Sequence, residues 1–167
     1  DACHQRGIAV FLDVVYNHST GDSPLAKMYW DPDHKPYSAT SALNPYFNVD
    51  ARHPFNVFHD INHDNLFMRN VVKKSLKYLI TEYNVDGFRF DLTKGFTQKD
   101  SGADDSSANV NAWGRYDQSR VDILKGYADH VWSVNPDAVV IFEHLSDWDE
   151  EKVLAEHGIK LWRNVNH

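Results

Sequence analysis

The chain has 167 residues, of which 42% are hydrophobic and 25% are charged, and its formal net charge is −7 at pH 7. This composition is typical of a globular domain or of a piece of one, and it excludes a disordered chain. The negative charge argues against non-specific nucleic-acid binding, which requires a basic surface. No stretch of the sequence is apolar and long enough to cross a bilayer.

The first predicted elements are a strand, a long irregular segment and a helix. Residues 1–7 resemble the last turn of a helix that ends at Gly7, which predicts an excised segment of a longer protein. Residues 8–15 form an almost unbroken apolar run, as in a strand covered on both faces. An irregular stretch follows from about residue 17 to 65, and a loop this long is usually functional or a small subdomain. Apolar residues at helical spacing then predict a helix over residues 66–83.

The second half of the chain alternates between strands and helices. A strand is predicted over residues 85–92, and a loop rich in Gly, Ser and Asp over residues 95–119. The next helix ends at Asn135-Pro136, because proline cannot continue the helical hydrogen-bond ladder. The series ends with a strand over residues 138–142, a short helix over 149–157 and a strand over 159–163.

This alternation predicts an α/β fold with a parallel sheet and right-handed crossovers. The pattern alone leaves open a β/α barrel or an open doubly wound sheet. The long loops follow the strands at their carboxyl ends, where both architectures have their active sites. We therefore look for functional residues at those ends.

Polar residues follow each of the first three predicted strands. Arg89 and Asp91 are two positions apart on a strand and so point to one face, where the guanidinium can orient the carboxylate and keep it ionised. Asp13, on the neighbouring strand, can contact Arg89 from the other side. The three polar segments are Asp13-Val-Val-Tyr-Asn17-His18, Gly87-Phe-Arg89-Phe-Asp91-Leu-Thr-Lys94 and Glu143-His144.

The spacing of two acidic residues suggests a reaction type. Glu143 follows five apolar residues, and a carboxyl group at the rim of an apolar strand suits a general acid. Adjacent strands lie about 4.8 Å apart, so Asp91 and Glu143 can approach the roughly 5–5.5 Å of a retaining glycosidase. Inverting enzymes require roughly 6.5–9.5 Å, and the predicted strand order therefore favours retention.

Simpler structural explanations compete with these functional ones. An aspartate at a strand end more often caps the next helix, and an Arg–Asp pair is usually a structural ion pair. The His and Asp residues between His53 and Asp64 lack the spacing of a zinc motif, so we assign no metal site and interpret them as a solvated loop. The aromatic residues of the long segment can form a small core of their own: Tyr29, Trp30, Tyr37, Tyr46 and Phe47.

Together, the three polar segments resemble signatures of the α-amylase superfamily, glycoside hydrolase family thirteen. The first is similar to the family's first signature, the second resembles the signature that contains the nucleophile, and Glu143 stands at the acid/base position of the third. The resemblance covers nearly the whole chain and implies a partial (β/α)8 TIM barrel, about strands three to six. Residues 18–65 would be the family's excursion after its third strand.

The resemblance also implies a function, a retaining hydrolase of α-1,4-linked glucans such as starch or glycogen. Asp91 would be the nucleophile, Glu143 the general acid/base, and Arg89 would orient Asp91. No cofactor is needed for this chemistry, although some family members bind a structural calcium near the position of Asn17. Further roles are implied for five residues: His18, Lys94 and Tyr16 as substrate contacts, and Asp13 and Asn17 as structural support of the site.

The sequence departs from the family pattern at two positions. Gly95 stands where His is frequent, and Phe142 stands where Gly is common. The fourth signature, which carries a third catalytic carboxylate, is missing, and Asn164-Val-Asn-His167 resembles it only slightly.

Two alternatives stay open. One is an α-glucan branching or debranching enzyme of the same family, and the other is a non-catalytic carbohydrate-binding or transporter-accessory barrel. The expected partner is an α-glucan, with no nucleic acid and no membrane segment. A whole barrel needs about 250 residues, so we also expect this chain to self-associate through open sheet edges. The single cysteine excludes an internal disulfide and leaves the compartment open, with a secreted, periplasmic or cell-surface location favoured over the cytoplasm.

Overall fold

The computed structural model describes residues 1–34 and 39–162. The strands are β1 (Phe11–Val14), β2 (His18–Ser19), β3 (Trp30–Asp31), β4 (Ala39–Thr40), β5 (His59–Asp60), β6 (Gly87–Phe90), β7 (Val139–Glu143) and β8 (Lys160–Trp162). The α-helices are α1 (Pro24–Lys27), α2 (Leu66–Tyr83), α3 (Ser107–Gly114), α4 (Gln118–Val134) and α5 (Trp148–Glu156). Two short 3-10 helices span His4–Arg6 and Thr93–Phe96.

The central sheet contains four parallel strands in the order β1-β6-β7-β8. Each strand is followed along the chain by a helix, α2, α4 or α5, before its neighbour. The order progresses in one direction with no reversal, unlike a doubly wound sheet, which has a switch point. The predicted α/β fold with a parallel sheet is therefore confirmed, and its strand order is that of a segment of a (β/α)8 barrel.

Helix α2 has the bounds that the sequence predicts, because its start, its buried stripe and its end are all local signals. The side chain of Asn65 accepts a hydrogen bond from the backbone N–H of Phe67, which caps the first turn. Asn84 ends the helix in the left-handed conformation, with φ of 53°. The buried positions recur every four residues and face the core: Met68, Val72, Leu76 and Ile80.

Helix α4 packs beside α2 and covers the sheet with a second apolar stripe. Its buried apolar residues are Val121, Ile123, Leu124, Tyr127, Ala128 and Val131. Burial of one large apolar side chain contributes about 1.5–3 kcal/mol, so these two stripes supply much of the driving force for packing the helices on the strands. Within the sheet layer, the rings of Phe90 and Phe142 meet edge to face with centroids 5.1 Å apart.

Two predicted loops contain regular structure. Residues 17–65 include helix α1 and two small antiparallel sheets, β2 with β5 and β3 with β4. Among the predicted loop aromatics, the ring of Trp30 packs on His59 with centroids 5.1 Å apart, whereas Tyr37 lies outside the described residues. The predicted loop over 95–119 contains α3. The side chain of Ser106 caps this helix by accepting a hydrogen bond from the backbone N–H of Asn109.

The prediction of a solvated loop between His53 and Asp64 is wrong for its three buried members, although Asp64 is exposed. His53 and His63 are completely buried, and Asp60 is 2% exposed. The ring of His53 stacks on Trp113 at 4.9 Å. Polar side chains are tolerated inside when they find partners, and the sequence alone does not show those partners. No helix in the described part of the chain is long and apolar enough to span a membrane.

Candidate active site

Four charged side chains meet at the carboxyl ends of the central strands. In the parallel register, Asp13 of β1 lies beside Arg89 of β6. Asp91 follows β6, and its backbone N–H donates to Val14 O at 3.0 Å. Glu143 is the last residue of β7. Strand pairing therefore brings residues far apart in sequence to one edge of the sheet.

Arg89 contacts all three carboxylates. Its Nη1 donates to Asp13 Oδ1 and to Asp91 Oδ1, both at 2.8 Å, and its Nη2 lies 3.0 Å from Glu143 Oε2. The ring of Trp162 lies 5.3 Å from the guanidinium carbon. Burial acts to lower the pKa of Arg89, but its carboxylate partners outweigh burial, so its pKa is raised.

In Asp91 and in Glu143, one carboxylate oxygen contacts Arg89 and the other accepts no hydrogen bond from the described residues. Glu143 Oε2 also accepts from the backbone N–H of Leu92 at 3.2 Å. Within residues 1–34 and 39–162, no hydrogen bond reaches Asp91 Oδ2 or Glu143 Oε1, and the side chains are 30% and 28% exposed. The apolar setting predicted for Glu143 is thus corrected, because a guanidinium and an amide N–H contact its carboxylate.

The backbone is strained just after each of these two carboxylates. Leu92 has φ of 41° and Leu145 has φ of 58°, values that are unfavourable for a residue with a Cβ atom. Such strain is often found at functional sites, where surrounding contacts maintain it. Both strained residues follow a candidate catalytic carboxylate within two positions.

His18 and Phe58 extend the site along the long excursion. Partial burial lowers the pKa of His18, and the nearby Asp91 carboxylate offsets part of the shift. The rings of His18 and Phe58 have centroids 6.1 Å apart. Phe58 is 63% exposed and has φ of 61°, so its ring is open to solvent and its backbone is strained. A cavity of about 670 Å³ adjoins it, lined by Thr20, Gly21, Asp22, Lys27, Trp30 and Phe58.

Two predicted substrate contacts occupy packing positions. Lys94 is buried, with its Nζ 4.1 Å from the centre of the Trp113 ring, and burial together with the nearby charge of Arg120 lowers its pKa to about 8. The hydroxyl of Tyr16 lies 2.7 Å from Ser75 Oγ on helix α2. Both side chains therefore have structural contacts within the chain, and their predicted roles as substrate contacts stay predictions.

Asn17 explains why position 95 is glycine. Asn17 is fully buried, and a Cβ atom at Gly95 would overlap its side-chain amide. A histidine at position 95, which the family pattern favours, therefore requires a different placement of Asn17.

The predicted supporting role of Asn17 stays a prediction, as do the roles of Asp13, Arg89, Asp91, Glu143 and His18.

The described residues around Asn17 supply only part of the oxygen ligand set that a calcium ion takes. Calcium takes six to eight oxygen ligands. Two buried oxygens there, Asn17 Oδ1 and Asp60 Oδ1, lack a hydrogen-bond partner, and the described residues contain no group of three or more His, Cys, Asp or Glu able to hold a metal. We derive no step through calcium.

Three neighbours of the site, Thr93, Phe58 and Trp162, carry no sequence signal that points to it. Thr93 occurs within the second polar segment, but no pattern indicates that its side chain has a partner on another strand. Phe58 has no periodic signal, and its exposure becomes evident only in three dimensions.

Comparisons with known proteins found similar sequences and a similar fold, although no protein-family model matches the chain. Alpha-amylase 3 of Dictyoglomus thermophilum is 29% identical over 177 residues, covering 98% of this chain and 31% of the relative. The 1,4-alpha-glucan branching enzyme of Salinibacter ruber is 29% identical over 159 residues, covering 95% and 24%. Eubacterium rectale Amy13B has a similar fold, with a TM-score of 0.66 at 20% identity over 97% of this chain and 32% of that chain. The chain thus spans a quarter to a third of the length of these proteins.

Proposed function

We propose that this chain, which belongs to the α-amylase superfamily, is the central part of the catalytic barrel of a retaining enzyme acting on α-1,4-linked glucans. The observation that carries the proposal is the pairing of Asp91 and Glu143 through Arg89 at the carboxyl end of a parallel sheet. Two carboxylates on one guanidinium are close neighbours. This arrangement favours the roughly 5–5.5 Å separation of retaining enzymes over the roughly 6.5–9.5 Å of inverting ones.

The open carboxylate oxygens suit the two steps of a double displacement. In the first step, Asp91 Oδ2 attacks the anomeric carbon while a protonated Glu143 transfers its proton from Oε1 to the departing glycosidic oxygen. The carbon–oxygen bond to Asp91 forms as the glycosidic bond breaks. In the second step, the Glu143 carboxylate takes a proton from water, the water oxygen attacks the anomeric carbon, and Asp91 is released as a carboxylate.

The neighbouring residues orient this pair and bind the sugar. Arg89 holds Asp91 Oδ1, which leaves Oδ2 directed toward the open side, and Asp13 restrains the same guanidinium from β1. Burial lowers the pKa of His18, which favours the neutral imidazole, and a neutral imidazole can donate one hydrogen bond to a sugar hydroxyl.

The substrate class follows from the surroundings of the site. Phe58 and Trp30 line the adjoining cavity and offer ring faces on which the apolar face of a pyranose can stack. Asp22 and Lys27, paired at 2.9 Å on its rim, offer an acceptor and a donor for hydroxyl groups. We assign residues 18–65 to an excursion that shapes this side of a glucan cleft.

A branching or debranching activity is the second candidate. The same Asp91 and Glu143 would form the glycosyl–enzyme bond, and in branching a glucan hydroxyl would replace water in the second step. The similarity to a branching enzyme over 95% of the chain favours keeping this candidate. Products formed from amylose distinguish the two, since hydrolysis releases reducing ends and branching does not. A non-catalytic barrel is less well supported, because Arg89, Asp91 and Glu143 are all present.

Replacement of the nucleophile tests the proposal. Asp91→Asn in the full-length protein should lower glucan turnover by at least about 10³-fold, because removal of a group that forms the covalent intermediate disables the reaction. Asp64→Asn is the matched control, since the side chain of Asp64 is 77% exposed and pairs with Arg69 at the protein surface. Activity of Asp91→Asn equal to that of the control would show that Asp91 is not the nucleophile.

A further inference from the structure

Glu143 lies just beyond the end of its strand pairing with β6. The ladder between β6 and β7 ends at the pair Phe90 and Phe142, one residue before Glu143. The hydroxyl of Thr93 donates to the backbone oxygen of Glu143 at 3.1 Å and lies 2.9 Å from His144 Nδ1. A side chain therefore replaces the missing strand partner at the residue that carries the candidate acid/base.

A buried chain of polar groups continues behind Thr93. His144 Nε2 lies 2.7 Å from Glu150 Oε1. Arg120 binds the same carboxylate with two hydrogen bonds, Nε to Oε1 at 2.6 Å and Nη2 to Oε2 at 2.8 Å. The side chains of His144, Glu150 and Arg120 are at most 1% exposed. These three side chains are too deeply buried to contact a substrate, so any effect they have on the reaction is indirect.

Arg120 also connects the loops that follow β6 and β7. Its Nη1 donates to the backbone oxygen of Lys94 at 3.1 Å, and its Nη2 donates to Ser146 Oγ at 2.9 Å. Lys94 lies three residues after Asp91, and Ser146 lies three residues after Glu143. The guanidinium therefore joins the segments that carry the two catalytic carboxylates.

The energetic cost of this arrangement indicates a role beyond stability. Desolvation of a buried ion pair often exceeds its Coulombic gain, and apolar replacements of such pairs are frequently neutral or stabilising. A fully connected polar network does, however, specify one geometry, because each alternative arrangement leaves a buried group unsatisfied. The charged side chains that face this network include Lys94, Asp117 and Glu151.

We propose that Thr93, His144, Glu150 and Arg120 are positioning residues that fix the acid/base Glu143 relative to Asp91. This inference rests on the proposed glycoside-cleaving function. It predicts a specific defect: a displaced Glu143 impairs proton transfer to the leaving group, whereas attack by Asp91, which is oriented by Arg89 and the β1 ladder, is retained.

The test compares two substrates in the full-length protein. A maltooligosaccharide needs protonation of its leaving oxygen, whereas fluoride leaves α-glucosyl fluoride without a proton. Thr93→Val preserves shape and removes the hydroxyl. It should lower kcat/KM for the maltooligosaccharide about 10- to 100-fold, as for a small misplacement of a catalytic group. It should lower kcat/KM for the fluoride, which reports the first step and not the later attack of water assisted by Glu143, by no more than about threefold. The control is Thr81→Val on the exposed face of α2, which should leave both rates unchanged.

Equal losses on both substrates, or no loss on either, would overturn the inference. Glu150→Gln, which keeps the shape and removes the charge, should show the same selective loss. This variant replaces Thr93→Val in the test if Thr93→Val shows no cooperative thermal unfolding and is therefore not folded. Failure of both variants to fold would assign the four residues to folding alone and would also overturn it. The proposed function fails separately if the unmodified protein turns over neither substrate with retention of configuration.

Discussion

At the scale of single residues, the charge balance of the site matters as much as its geometry. Three carboxylates surround the single positive charge of Arg89, those of Asp13, Asp91 and Glu143. The net charge of this cluster is formally −2 when all four groups are ionised. An oxocarbenium-like transition state gains positive charge at the anomeric carbon. A preorganised negative cluster stabilises such a charge more than it stabilises the neutral ground state. Arg89 therefore orients the cluster without neutralising it.

Phe58 should contribute to glucan binding. Phe58→Ala removes an exposed ring beside His18. We therefore expect KM for maltooligosaccharides to rise about tenfold, which corresponds to the loss of one good aromatic contact. Steady-state kinetics of the full-length protein measure this change. Phe67→Ala is the matched control, because Phe67 is 66% exposed on α2. An unchanged KM for Phe58→Ala would remove this residue from the substrate site.

His63 should make stability depend on pH. Burial lowers its pKa to about 3, whereas an unfolded histidine titrates near 6.5. Between these values the unfolded chain binds a proton that the folded chain does not. The free energy of unfolding therefore decreases by up to about 1.4 kcal/mol for each unit by which the pH is lowered. The stabilisation is complete above pH 6.5.

Melting temperatures between pH 7 and 5 measure the effect of His63, and His63→Gln should show a shallower slope than the unmodified protein. A residual slope is expected from His144, since burial also lowers its pKa. Parallel slopes for the variant and the unmodified protein would contradict the assignment.

At the scale of elements, local signals predict the helices well where the apolar stripe is long. Helix α2 has four buried residues at regular spacing, and its predicted bounds are confirmed. Helix α3 buries only Trp113, so its sequence shows no periodicity, and the prediction of a continuous loop there is wrong. The short 3-10 helix Thr93–Phe96 was also unpredicted, because tertiary contacts with Asn17 and α4 determine it.

Gly95 and Gly126 should respond oppositely to alanine. A Cβ atom at Gly95 would overlap the buried side chain of Asn17, so Gly95→Ala should lower stability by about 1–3 kcal/mol. Gly126 lies within helix α4, where an added Cβ atom would meet open space, so Gly126→Ala should raise stability by up to about 1 kcal/mol. Chemical denaturation of both variants measures these changes. A neutral Gly95→Ala would show that Asn17 can move freely.

At the scale of the whole molecule, the sheet has two open edges in the part of the chain that the structure describes. Strands β1 and β8 each pair with one neighbour, and unpaired strand edges promote association. We expect the 167-residue chain on its own to form dimers or larger species in light scattering. Phe11→Lys on edge strand β1 should reduce association, and Tyr78→Lys on α2 is the control, since both residues are exposed. A monomer of the unmodified chain would contradict this expectation.

The sequence by itself determined the order of the four central strands and of helices α2, α4 and α5, and the positions of the polar segments at strand ends. Those properties depend on local periodicity and on residues close together along the chain. The tertiary structure alone decided that Glu143 shares Arg89 with Asp91, that the Thr93 hydroxyl bonds the backbone oxygen of Glu143, and that Lys94 is buried against Trp113. Each of these contacts joins residues that are distant in sequence, so its presence depends on how separate strands and loops pack, and no local pattern encodes it.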